Sequence, residues 1–177
     1  NVIDGVFEHS RKLFGLVFKL TAEIPTYHPD VKTYEVFDDK NEYVGLFYMD
    51  FFPRETKKGG AWMTNYREQG MWSNEVRRPH VSIVCNFTKP TPTKPSLLSY
   101  DEVRTLFHEF GHALHGLLSQ CKFRSLSGTN VYWDFVELPS QIMENWTEEK
   151  EGLDLFARHY ETNATIPEDL VIKIKKA

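Results

Sequence analysis

The stretch LFHEFGHALHG, residues 106–116, carries three imidazoles and a carboxylate: His108, His112, His115 and Glu109. On an α-helix, at about 100° per residue, His112 falls about 40° from His108 and His115 about 20° from it. All three rings therefore share one stripe. At about 1.5 Å of rise per residue, however, His108 and His115 stand about 10.5 Å apart along the axis, too far to flank one ion. The stripe offers the pair His108/His112 or the pair His112/His115, or it is simply the histidine-bearing face of an ordinary amphipathic helix.

HEFGH (108–112) has the form His-Glu-x-x-His, and that spacing has a chemical reason. Residues four apart sit one turn apart on one face, so two ring nitrogens can converge on a Zn2+ ion at about 2.0–2.1 Å. Glu109, about 100° round the axis, is off the ligand line but within reach of a water beside the ion. A general base is needed there if a metal-acidified water is to attack a carbonyl carbon. Chance yields roughly 0.02 such patterns in a chain of this composition. Gly111 inside the helix costs about 1 kcal/mol relative to alanine, which points to close backbone packing or to room kept for something else at that position.

A third ligand is required. The His-Glu-x-x-His-x-x-Gly-x-x-His arrangement fails, because His115 and Leu118 occupy the Gly and last His positions. A following helix, DFVELPSQIMENW, offers Glu137 and, seven positions on, Glu144 on nearly the same face. The residues alone leave their roles open. Glu137 could instead close a capping box with Asp134, and Glu144 could accept the N–H of a ligating imidazole.

The elements that must position these groups read as strands first and helices after. A helix is expected over residues 2–18, then strands at KTYEVFD (32–38) and YVGLFYMDFF (43–52), joined as a hairpin through DDKNE. AWMTNY (61–66) and HVSIVCNF (80–87) follow as strands, and either could be a sheet edge that pairs with extended peptide. The prolines of TKPTPTKPS mark a loop. Ser99 and Glu102 form a capping box at the head of the histidine helix, whose core stripe is Val103, Leu106, Phe107, Phe110, Leu114 and Leu117. After a loop containing Gly128, a second helix starts near Asp134 with Pro139 early in it, and GLDLFARHY and PEDLVIKIKK give two short helices. The absence of βαβ alternation or internal repeats predicts a single α+β unit over 1–177: sheet-rich at 25–90, metal-site helices at 99–150, further helices at 152–177. In the loop, Gly128, Thr129 and Asn130 are expected to line the cleft, whereas Arg54, Lys57 and Lys58 read as solvated loop charges.

A net charge of −4 supplies no field for nucleic acid or anionic lipid, and 41% apolar residues without a long apolar run fit a globular chain rather than a membrane span. Two cysteines, Cys85 and Cys121, make no disulfide framework and favour a reducing compartment, hence a cytoplasmic setting. The first residues form no signal peptide, and both ends read as cut from a longer protein.

FHEFGHALHG, SGTNV and DFVELPSQIMENW together resemble the thimet oligopeptidase family of zinc metallopeptidases, its bacterial peptidyl-dipeptidase branch above all. The likeness runs upstream through RPHVSIVCNF and HPDVKTYEVFD to VIDGVFEHSRKLFG, essentially the whole chain. It implies a zincin-like fold with a small antiparallel or mixed sheet, and one Zn2+ per chain held by His108, His112 and Glu137. It also makes Glu109 the catalytic base, and thereby selects the first histidine pair. His115 and Glu144 then become supporting residues around the ligands. The implied reaction is hydrolysis of short peptides, with release of C-terminal dipeptides expected ahead of broader endo-oligopeptidase cleavage. A non-catalytic metal-binding domain is the reading from another class. The family's Gly-rich stretch with a histidine and tyrosines, and its helical half that roofs the channel, have no counterpart in this chain. Tyr132, His159 and Tyr160 do not match that stretch and are assigned structural roles. The missing donors and the missing remainder of the parent chain predict weak catalysis by this piece alone.

Overall fold

The computed structural model describes residues 1–176. Helix α1, Val2–Phe14, ends earlier than the periodicity predicts. Gly15 takes a left-handed conformation (φ 70°) and donates its N–H to the Arg11 carbonyl at 2.9 Å, a glycine stop that no side-chain pattern overrides. Val17 therefore opens a strand, β1 (Val17–Thr21), which the helical reading missed. It pairs antiparallel with β2 (Lys32–Phe37), and β2 with β3 (Tyr43–Asp50), so the expected hairpin is present. Its turn is organised by Asp38, whose Oδ1 accepts from the N–H groups of Lys40 and Glu42 at 2.9 and 2.8 Å.

After β4 (Trp62–Arg67), a small hairpin of β5 (Gly70–Trp72) and β6 (Glu75–Arg77) was not foreseen; its strands are too short to carry periodicity. Strand β7 (His80–Val84) then enters the main sheet, whose order is β1-β2-β3-β7-β4. β3 and β7 run parallel and the other pairs antiparallel, giving a mixed sheet. HVSIVCNF is thus interior, as its apolar character favours, and AWMTNY forms the edge.

Helix α2, Tyr100–Leu117, lies across β3, β7 and β4. Phe107, Phe110, Leu114 and Leu117 bury their stripe against Phe47, Val81 and Ile83. Its capping box is formed as expected: Ser99 Oγ accepts from Glu102 N at 3.2 Å, and Glu102 Oε2 accepts from Ser99 N at 2.8 Å. At its other end the Arg78 guanidinium donates to the carbonyls of Leu117, Ser119 and Val44 at 2.6, 3.1 and 2.7 Å, anchoring the helix terminus to the sheet.

The helix expected from Asp134 is split in two, α3 (Trp133–Val136) and α4 (Leu138–Glu144), with Glu137 at the joint. Pro139 has no N–H to return to the previous turn, so one continuous helix is disfavoured there. Asp134 caps neither piece. Short helices α5 (Lys150–Phe156) and α6 (Glu168–Ile174) complete an α+β chain in which the strands lie between α1 and α2 and the other helices follow.

Lys57 and Arg54 correct the expectation of solvated charges. The Lys57 side chain is only 3% exposed and, with Arg54, is bound to the buried Asp50. Burial alone would push the Asp50 carboxyl up, but hydrogen bonds from Arg54, Lys57 and Tyr27 prevail and hold it at about 2. Lys58 remains exposed.

Candidate metal centre

Two helices meet where Gly111 has no side chain. A Cβ added there would lie 2.5 Å from Ser140 Cα and 2.6 Å from the Pro139 carbonyl oxygen, both backbone atoms of α4. The first turn of α4 thus rests directly on α2, and Glu137, immediately before it, is brought over the histidine stripe. Gly111→Ala is expected to push the helices apart and lower stability by about 1–3 kcal/mol, the usual penalty of overpacking, in thermal unfolding. An unchanged melt would contradict this contact.

At the crossing, Glu137 Oε2 stands 3.2 Å from His108 Nε2 and 3.1 Å from His112 Nε2. The three donor atoms lie within 4.8 Å of one another, and the two rings are nearly perpendicular at 84°. Ligands placed tetrahedrally at about 2.0–2.2 Å from zinc are about 3.3–3.6 Å apart, close to the two spacings from Glu137 to the imidazoles. Their chemistry fits as well: two imidazoles and a carboxylate suit Zn2+, and three protein ligands leave one position open.

The surrounding groups fix this arrangement. His108 donates from Nδ1 to Glu144 Oε1 at 2.6 Å, which leaves the Nε2 lone pair facing Glu137. Arg104 Nε donates to Glu144 Oε2 at 2.7 Å, holding that carboxylate in place. Ser140 Oγ donates to Glu137 Oε2 at 2.8 Å. Burial lowers the pKa of His112, against the pull of Glu137, and so favours the neutral form that ligates a metal.

Glu109 sits beside the cluster and is not one of its converging atoms. Burial, with a smaller contribution from Glu137 and against an opposing one from His108, holds its carboxyl above the ordinary range. Its Oε2 is buried without a hydrogen-bond partner. A carboxylate that is poorly solvated and unpartnered is a better base than one in water.

These groups open into a cleft of about 620 Å³. Ala61 and the first two residues of β4, Trp62 and Met63, line it together with Thr129, Asn130 and Trp133. Gly128 is not among the lining residues. At φ 55° it packs on α2, where an added Cβ would lie 3.0 Å from Gly116 Cα. Asn130 lines the cleft but spends its amide on Glu68 Oε1, at 3.1 Å.

His115 stands outside the converging trio, with its ring 6.1 Å from that of Phe135 under α3. Glu144 meets His108 from behind rather than joining the trio. Tyr132 is 88% exposed, and His159 and Tyr160 lie at the surface away from the cleft. Sequence reasoning missed Arg104, Ser140 and the lining residue Trp133, whereas Trp62 belongs to AWMTNY, one of the two strands offered as a substrate-pairing edge. Arg104 had a readable signal, one turn before His108 on the same face; Ser140 and Trp133 depend on chain crossings that no local pattern encodes.

The sequence model of peptidase family M3 matches residues 1–177. Dipeptidyl carboxypeptidase of Escherichia coli (strain K12) is 46% identical over 174 residues, covering 98% of this chain and 25% of that protein. Oligopeptidase A of the same organism is 42% identical over 177 residues, covering 99% of this chain and 26% of its own length. Thimet-like oligopeptidase of Dictyostelium discoideum is 40% identical over 186 residues, covering 96% and 26%. The chain therefore spans about a quarter of the length of these relatives.

Proposed function

This chain belongs to peptidase family M3, and on that footing we propose that it is the zincin-like catalytic core of a zinc metallopeptidase that hydrolyses short peptides. The observation that carries the reading is the convergence of His108, His112 and Glu137 beside the unpartnered carboxylate of Glu109. One Zn2+ held by the trio would acidify a water and polarise the scissile carbonyl. Glu109 is placed to accept the proton of an attacking water and return it to the leaving amine, and burial raises its basicity for that work. Glu144, steadied by Arg104, keeps the His108 ring aimed at the site.

An extended substrate lies along β4, whose edge is free in the sheet and whose first residues line the cleft. Thr129 and Asn130 line the same cleft. Free Cys85 and Cys121 fit a reducing setting such as the cytoplasm, which fractionation of the native protein would test.

Removal of C-terminal dipeptides is the preferred reaction. Endo-oligopeptidase cleavage is kept as the second reading because relatives bearing both kinds of name match at similar identity. Mass spectrometry of products from free and C-terminally amidated peptides, using the zinc-loaded full-length polypeptide, separates them. Successive dipeptides from the free peptide and little from the amide support the first reading, and equal internal cutting of both supports the second. No cleavage of either would overturn the peptidase assignment.

Glu144→Ala is expected to weaken zinc binding about 10–100-fold, as loss of an imidazole's carboxylate partner commonly does. Competition with a chelator measures it, and wild-type affinity would deny Glu144 this role.

A further inference from the structure

The wall that would receive the substrate begins in a segment with no regular structure of its own. Residues 51–61 run from the end of β3 to the start of β4 without a helix or strand. Their order comes from a knot of charges. Asp50, 1% exposed, accepts both Arg54 Nη atoms at 2.8 and 2.9 Å and the Tyr27 hydroxyl at 2.9 Å. The Lys57 ammonium sits among four oxygens: Asp50 Oδ1 at 3.0 Å, the Asp50 and Phe52 carbonyls at 2.9 Å each, and the Cys85 carbonyl. It thereby ties this segment to the ends of both β3 and β7. One step further, Asn86 Nδ2 donates to the carbonyls of Lys58 and Gly60 at 2.8 and 2.7 Å. Gly60 turns with φ 89°, and the next three residues, Ala61, Trp62 and Met63, line the cleft.

We propose that Lys57 and Asn86 are positioning residues for peptide binding: together with Asp50 they fix the Gly59–Met63 lip so that the free edge of β4 meets an extended substrate in register. The inference rests on the peptidase reading for its substrate, but not for its geometry. β4 already has a partner on one side, since Trp62 and Met63 pair with Val84 and Ile83. What that ladder leaves loose is the strand's entry, where the chain leaves the glycines. A buried ammonium with full coordination is a rigid anchor, and loss of one such anchor lets the entry drift. A lip that must be ordered at the moment of binding spends part of the binding energy on that ordering, so a loss of order tenfold in peptide affinity is the expectation.

None of these residues touches the metal trio, so the consequence falls on peptide affinity. The test uses the zinc-loaded full-length polypeptide in wild-type, Lys57→Met and Asn86→Ala forms. Kd for a short peptide is read by calorimetry, KM and kcat by turnover, and amide hydrogen exchange is followed across residues 59–67. For Lys57→Met the expected result is an approximately tenfold rise in Kd and KM, with zinc content and kcat near wild type and faster exchange at the lip. Asn86→Ala, which disturbs no buried charge, should move the same quantities in the same direction by less, and so keeps the test valid should Lys57→Met fail to fold. Unchanged peptide Kd in folded Asn86→Ala, or wild-type exchange across 59–63, overturns the proposal. A fall in kcat and zinc content at constant Kd also overturns it. If the wild type binds peptide but cleaves none, the peptidase reading fails while Kd and exchange still decide the positioning claim.

Discussion

Glu109→Gln in the zinc-loaded full-length polypeptide is expected to lower kcat by about 10²–10⁴-fold, the range a positioned general base supplies, while zinc content stays at one per chain. Glutamine keeps the size and one oxygen of the side chain but cannot accept a proton. The position makes the loss hard to replace. Glu109 is 7% exposed, so solvent does not readily substitute for it, and among the residues lining the cleft the other carboxylate, Glu137, is committed to the histidines. Stability should rise slightly or stay level, because Glu109 is largely buried and a neutral amide is cheaper to bury than a charge. The decisive pattern is kcat lost with zinc retained. A glutamine variant as active as the parent would remove Glu109 from the mechanism, and the non-catalytic metal-domain reading would then gain the ground.

Glu137→Ala is expected to weaken zinc binding by well over 100-fold, beyond what loss of a supporting hydrogen bond produces. Its carboxylate is the only group from outside α2 in the trio, so its removal leaves two imidazoles on one helix. The consequence can be read without any substrate. A metal that binds only the folded state stabilises it by about 2.7 kcal/mol at 100 times its Kd, so wild-type protein should melt several degrees higher with zinc than without. That shift should vanish in Glu137→Ala and persist in His115→Ala, whose ring packs near Phe135 instead of joining the trio. A zinc-dependent shift lost on changing His115 and kept on changing Glu137 would exchange their roles.

How far these features could be read in advance follows the range of the interactions. The histidine spacing, the Ser99 capping box and the β2–β3 hairpin are local, and each was legible because its cause lies within a few residues. Gly111 pointed to close packing or to room kept for something else, though not to the backbone of Ser140. The stop at Gly15 was written in one residue, yet the apolar spacing ran past it and masked β1. Interior placement of β7 depends on a parallel crossover from β3, and burial of Lys57 on oxygens from two stretches of chain more than thirty positions apart, at Asp50–Phe52 and at Cys85. Neither has a signature at short range. Whether Glu137 or Glu144 faces the histidines was likewise open on helical phase alone. The break at the start of α4 and the contact at Gly111 decide it by geometry, with one carboxylate in front of the His108 ring and the other behind.

The central claim is that His108, His112 and Glu137 hold one zinc ion with a position left open. Anomalous diffraction at the zinc edge, from crystals grown with zinc, tests it most directly. The account predicts one strong peak about 2.0–2.2 Å from Nε2 of both histidines and from a Glu137 oxygen, with a non-protein ligand completing the shell. A fully occupied zinc coordinated by His115, or no peak among the three while zinc binds elsewhere on the chain, would contradict it.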